Sequence, residues 1–185
     1  LHKKLYYPAL GVIFMVSFIQ FSNSFIQPFF APSSRFVLSN SILYPNKRDD
    51  VEQIKNLTSY LHSLSGDIYV MASSNVTFND DILRHVDMPN TTNAIPNLLP
   101  TNNVDLSDGF PYQFMGAKYI VVADPIQLHL GKNNQMVVWF FANNILAQSS
   151  FGQNYKLLKV FSIDKNIKIN VYEKEKCFTG EQLED

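Results

Sequence analysis

The pattern of apolar and polar positions changes character after residue 34. From Leu5 to Ser34 no charged residue occurs, and His2-Lys3-Lys4 stands directly before the run. Its apolar heart, Leu5 to Ile26, is long enough as a helix to cover about 30 Å, the hydrocarbon thickness of a bilayer, and Pro8 falls in the first turn. Beyond it the apolar positions become periodic. Val51, Ile54, Leu57, Leu61 and Leu64 recur at three and four residues and predict a helix with one buried face. Asp49 or Asp50 opens it, Gln53 completes a capping box with Asp50, and Gly66 takes the C′ position. Asp67–Ala72 and Lys118–Ala123 are short, nearly continuous apolar runs, as expected of parallel strands covered on both faces.

The connecting segments are read from turn chemistry. Ser73-Ser74-Asn75 is a turn, and Asn79 or Asp80 starts a short helix through about Val86. From Asp87 to Asp108 the chain is irregular, with Pro89, Pro96 and Pro100, and connections this long are often lids or binding loops. A short helix near Tyr112 to Ala117 precedes the second strand, which Asp124-Pro125 ends. Asn133 or Asn134 caps a helix through about Gln148, whose apolar face is Val137, Val138, Phe141, Ile145 and Leu146. Tyr155–Ile163 and Ile167–Tyr172 close the chain as a hairpin about Asp164-Lys165-Asn166, with Ile167, Ile169 and Val171 alternating against Lys168, Asn170 and Tyr172.

The expected fold class is therefore α/β: an N-terminal transmembrane helix, then a small three-layer-like α/β domain with a mixed sheet and a C-terminal hairpin. Residues 1–30 form the transmembrane helix and its flank, 31–48 a linker with some strand content at Arg35–Leu38, 49–175 the α/β domain, and 176–185 a charged tail. Length and flanks favour a membrane span, with a secretory signal peptide and a buried core helix as rival readings. Basic residues on the N-terminal side alone put Leu1 in the cytoplasm and the domain on the extracytoplasmic side of the cell membrane. Leu1 stands where an initiator Met is expected, which points to a fragment whose helix is the last of several spans.

Composition narrows the function classes. Hydrophobic residues make up 46% and charged ones 17%, so the chain after the helix is globular. The net charge is −1, and outside Lys3 and Lys4 acidic residues outnumber basic ones, so there is no basic footprint for nucleic acid. The single cysteine, Cys177, provides neither an internal disulfide nor a thiolate metal site. An extracytoplasmic domain without disulfides fits a bacterial envelope, although Asn56, Asn75 and Asn90 stand in glycosylation sequons.

The sequence has no Gly-rich phosphate loop, no HExxH, no CxxC and no GxSxG elbow. Catalytic residues, metal ligands and cofactors are accordingly expected to be none in this chain. The candidate binding residues are Ser73, Asn75, Asp80, Asp81, His85, Asp108 and Asp124. Ser73, Asn75 and Asp124 follow the two apolar strands, and open α/β sheets take ligands beyond those strand ends. Asp81 and His85 share a helix face at i and i+4, with the simpler alternative that Asp80 and Asp81 complement the helix N-terminus and His85 is exposed. Asp108 opens Asp108-Gly109-Phe110-Pro111, a gate or a tight turn, and His129 is a lone histidine in an alternating run.

The helix Leu5–Ile26, the helix–strand unit Asp50–Ala72, the strand Lys118–Asp124 and the hairpin Tyr155–Tyr172 together resemble the C-terminal end of multi-span bacterial membrane glycosyltransferases. That superfamily takes sugars from polyprenyl-phosphate carriers and includes protein-mannosyltransferase-like and aminoarabinose-transferase-like enzymes. The resemblance covers nearly the whole chain and rests on architecture, without a diagnostic motif. It implies an accessory extracytoplasmic domain, with the catalytic acidic residue in a loop upstream of this chain. It also implies as partners the lipid bilayer and, through the rest of the parent chain, a polyprenyl-linked sugar and a glycan or protein acceptor. The Asp87–Asp108 loop is the segment expected to touch acceptor or partner. The competing class is a membrane-anchored binding or sensor module without enzymatic activity.

Overall fold

A computed structural model of the chain describes residues 3–25, 48–74, 76–86, 95–164 and 166–184. The expected strand content at Arg35–Leu38, residues 87–94 of the long loop and Asn75 lie outside the described residues. Residues 1–48 and 49–185 are two separate units.

In the first unit, helix α1 (Lys3–Phe25) runs for 23 residues. It starts before Leu5, so Pro8 stands inside the helix and not in its first turn. Its side chains from Tyr7 to Phe18 are exposed, with Tyr7 and Phe14 each 74% accessible, and Ile19 is half-buried. Among the described residues, no helix is long and apolar enough to cross a membrane.

The second unit is mixed α/β around a four-stranded sheet. Its strands are β1 (Ile68–Met71), β2 (Tyr119–Asp124), β3 (Tyr155–Asp164) and β4 (Ile167–Lys174), in the order β1-β2-β4-β3. The pair β1/β2 is parallel, with Val70 opposite Val121. β4 is antiparallel to both β2 and β3, so the closing segments form the expected hairpin.

Alternation along the central strands fills two cores. On one face Ile68, Val70, Tyr119, Val121, Ile169 and Val171 meet α2 (Val51–His62) through Ile54, Leu57 and Leu61. The period of three to four residues thus places the α2 stripe as expected. On the other face Tyr69, Met71, Ile120, Val122 and Tyr172 meet α4 (Tyr112–Gly116) through Phe114, and α5 (Met136–Leu146) through Val138, Ala142 and Ile145. α3 (Asp80–His85) and α6 (Gly180–Glu184) are the other α-helices among the described residues of this unit.

Three local expectations are corrected. Asp50 precedes α2 but makes no capping bond with its side chain, and the helix ends at His62, so Gly66 belongs to the turn before β1. There Gly66 adopts φ +134°, and a Cβ would stand 3.0 Å from the Lys118 side chain. Asn133 and Asn134 do not cap α5; they lie in a 3-10 turn, Lys132–Asn134, and Gln135 occupies the N-cap position. The long connection is also less irregular than its composition implies. Leu98 bridges Ile68 in parallel, with Ile68 N–H donating to Asn97 O at 2.9 Å and Leu99 N–H to Ile68 O at 2.9 Å. This segment covers the outer edge of β1, where open backbone groups invite unwanted pairing.

The chain end packs back on the domain. Phe178 stacks on Phe151 at 4.7 Å between ring centroids, and Gln182 Nε2 donates to Ser150 O at 2.6 Å. Gly152 makes close approach possible beside it, because a Cβ there would lie 2.2 Å from the Asn144 carbonyl oxygen.

Candidate functional site

β1 and β2 run parallel, so their C-terminal ends open on the same side of the sheet, where α/β folds take ligands. The chain leaving β1 is tied down at once. Ser73 bridges Asn79, Ser74 N–H donates to Phe78 O at 3.1 Å, and Ser73 N–H donates to Gln127 O at 3.0 Å. Thr77 Oγ1 donates to Gln127 Oε1, which fastens the same turn to the segment after β2. Asn79 then caps α3 by accepting the Ile82 N–H at 2.8 Å, so Asp80 and Asp81 occupy the first turn beside the end of β1.

These ties form a polar cleft of about 230 Å³, whose lining includes Ser73, Asp80, Asp81, Thr101, His129 and Gln135. Asp80 is anchored: Oδ2 accepts the Thr101 N–H at 3.3 Å and lies 3.6 Å from Arg84 Nε. Thr101 is held in turn by its hydroxyl, which donates to Val70 O at 2.8 Å. Gln135 is 6% exposed, and its Oε1 accepts both the His129 N–H at 2.7 Å and the Leu130 N–H at 2.9 Å. Two donors demand an oxygen, so the amide orientation is settled and the NH2 group faces away from them. That NH2 has no hydrogen-bond partner among the described residues. Ser73 Oγ is shielded from water and likewise has no partner.

Tyr69 of β1 is fully buried, and its hydroxyl has no partner among the described residues. Burial pushes its pKa up to about 12, and the negative charge of Asp80 adds to the effect.

The structure therefore gathers Ser73, Asp80 and Asp81 into one cleft and leaves the other expected residues elsewhere. His85 is exposed, and its Nδ1 is 2.7 Å from the Asp81 carbonyl oxygen, a helix-backbone contact. Asp108 caps an exposed 3-10 turn (Leu106–Asp108), and its Oδ2 accepts the Val104 and Asp105 N–H groups at 2.9 and 2.8 Å. Those two donors hold its carboxyl below the usual carboxylate range. Asp124 is exposed at the end of β2, opposite Lys168, and its charge adds to burial in raising Tyr172. Asn75 lies outside the described residues.

Thr101, His129 and Gln135 join the site through tertiary contacts that no local spacing announces. Thr101 belongs to the long loop expected to meet a ligand. Among the described residues, no three His, Cys, Asp or Glu side chains gather closely enough to hold a metal ion.

A second cleft, of about 380 Å³, lies against Leu106, Phe110, Pro111, Met136, Phe140 and Phe141. It is larger, but among the described residues no polar side chain lines it to orient a ligand, whereas binding sites combine shape with a few placed polar groups. The chain matches no protein-family model, no curated protein and no solved structure.

Proposed function

We propose that this chain is the accessory extracytoplasmic domain, with its membrane helix, of a glycosyltransferase that moves a sugar from a polyprenyl-phosphate carrier to a cell-envelope acceptor. The polar cleft meets the acceptor, and catalysis belongs to another part of the parent protein. The observation that supports the membrane reading is the charge-free run Leu5–Ser34 directly after Lys3 and Lys4, within which the α1 side chains from Tyr7 to Phe18 are exposed. A helix of that kind belongs in lipid or inside a protein. The positive-inside bias of Lys3 and Lys4 supports a domain on the outer side of that membrane. The elements after it run helix–strand, strand and hairpin, the order on which the resemblance to those enzymes rests.

The cleft favours a second reading, an anchored binding module without enzymatic activity, because its walls, among the described residues, come from within residues 72–135. One experiment separates the two. An antibody against residues 49–185 is used to blot washed membranes of the source cells, and sugar transfer from a labelled polyprenyl-phosphate sugar is measured with and without those residues. The proposal expects a membrane band far above the 21.2 kDa of this chain and at least a tenfold fall in transfer on deletion. A membrane band near that mass supports the binding module, and unchanged transfer rules out the accessory role.

A further inference from the structure

The polar cleft has an unusual donor and acceptor inventory for its size. Gln135, more than nine-tenths buried, lines the cleft together with Asp81, and its NH2 group has no hydrogen-bond partner among the described residues. Ser73 adds a hydroxyl that is cut off from water and unpaired. Buried polar groups are nearly always satisfied in native proteins, so the stranded Ser73 hydroxyl, beside an amide NH2 left free to donate, asks for a ligand that supplies the missing bonds.

The chemistry of that ligand follows from what lines the cleft. Among the described residues no Lys or Arg does so, and Arg84, which contacts the lining residue Asp80, is committed to that carboxylate and to Leu98 O. A phosphate or carboxylate ligand would meet the carboxylates of Asp80 and Asp81 without a guanidinium or ammonium to offset them. Neighbouring hydroxyls of a sugar suit the same walls: each both donates and accepts, so one can give its proton to Asp81 while the other accepts from Gln135. The volume of about 230 Å³ lies below the roughly 300–1,000 Å³ usual for small-molecule sites, which restricts the occupant to about one ring.

We infer that the cleft binds a single neutral or amino-sugar ring through a pair of adjacent hydroxyls, held by the Gln135 amide, the Ser73 hydroxyl and the Asp81 carboxylate. The inference rests on the accessory reading above and sharpens it: the domain holds the sugar of the acceptor, and the phosphate of the carrier has no place in this cleft.

The test is saturation-transfer NMR on the full chain in detergent micelles. The probes are glucose, galactose, mannose, glucosamine and N-acetylglucosamine, with glucose 6-phosphate as the anionic comparison. At least one uncharged or amino sugar is expected to show transfer, with glucose 6-phosphate at least fivefold weaker than glucose or the best binder. Gln135→Glu keeps an oxygen for the His129 and Leu130 N–H groups while removing the donor, and is expected to weaken binding at least fivefold. Asp81→Asn, on an exposed helix position, is expected to do the same and gives an independent reading if the first variant fails to fold. No transfer from any of the five sugars, undiminished transfer in Asp81→Asn, or a preference for glucose 6-phosphate overturns the inference. Each of those results leaves the sugar-transfer assay of the parent protein untouched, so the two readings fail separately.

Discussion

On one face of the sheet, Leu57 and Leu61 of α2 reach across to Val70, Val121 and Val171, and aliphatic side chains dominate the core. On the other face, Phe114 stands 4.6 Å from Phe141, 5.8 Å from Tyr69 and 6.0 Å from Phe151 between centroids, and Tyr155 and Phe178 extend the ring cluster. The aliphatic core draws on a regular helix stripe. The aromatic one draws on α4, α5, the turn at 151–155 and the chain end, and it carries two buried tyrosine hydroxyls, Tyr69 and Tyr155, without partners among the described residues. The contrast shows how one sheet can bury similar apolar surface at different polar cost. Aromatic rings deliver large area per residue, and tyrosine brings an oxygen that must then be satisfied or left stranded.

The strongest way to break this contrast is to remove one side chain from each core. Phe114→Ala deletes the ring that touches four others and is expected to destabilise the domain by about 3–5 kcal/mol; Leu57→Ala, equally buried, should cost about 2–5 kcal/mol. Urea unfolding of each variant, followed by circular dichroism, measures both. Phe114 is expected to sit at the top of its range, because its neighbours come from separate segments that cannot all close on the cavity. A smaller loss for Phe114→Ala than for Leu57→Ala would show that the aromatic side repacks easily and is the looser of the two.

Alkaline titration sharpens the comparison next. Burial raises the pKa of Tyr69 to about 12 and pushes Tyr155 further up. A tyrosine near 10 in the unfolded chain and near 12 in the folded one stays protonated in the folded state while the unfolded state releases its proton. The stability is therefore whole below about pH 10 and falls as pH rises through 12, by about 1.4 kcal/mol per pH unit for each such group. For Tyr69 alone this is on the order of 2–3 kcal/mol. Midpoints of urea unfolding between pH 9 and pH 12 should fall steeply in the native chain and much less in a Tyr69→Phe, Tyr155→Phe double variant. Equal slopes in the two proteins would mean that neither hydroxyl is the source of the alkaline sensitivity.

How much of this was readable in advance follows the same divide. The α2 stripe, the two parallel strands and the closing hairpin are local patterns with periods of 3.6 and 2, and they fold where those patterns lie. The start of α5 is displaced because Asn133 and Asn134 satisfy their preference for turns in a 3-10 turn, leaving Gln135 to begin the helix. The proline-rich loop read as irregular, yet Ile95 and Leu98 enter the aliphatic core and the backbone around Leu98 covers β1, an effect of tertiary pairing that overrides composition. At the cleft, Ser73, Asp80 and Asp81 were legible from their places after a strand and at a helix start. Gln135 and Thr101 were not, since their roles depend on bonds to His129, Leu130 and Asp80 that no sequence spacing encodes.

The finest test of the contrast is a single oxygen. Tyr155 is 3% exposed, and its hydroxyl finds no partner among the described residues. Removing a buried oxygen of that kind costs no hydrogen bond and abolishes a desolvation penalty, so Tyr155→Phe at pH 7 should be neutral or stabilising by up to about 1 kcal/mol. The ring remains, so the contacts with Phe114, Phe151 and Phe178 are retained, and any change reports the oxygen alone. A loss above about 1 kcal/mol, the usual worth of a made hydrogen bond, would show that the hydroxyl has a partner after all. The aromatic face would then be as well satisfied as the aliphatic one, and the difference between the two cores would reduce to the shapes of their side chains.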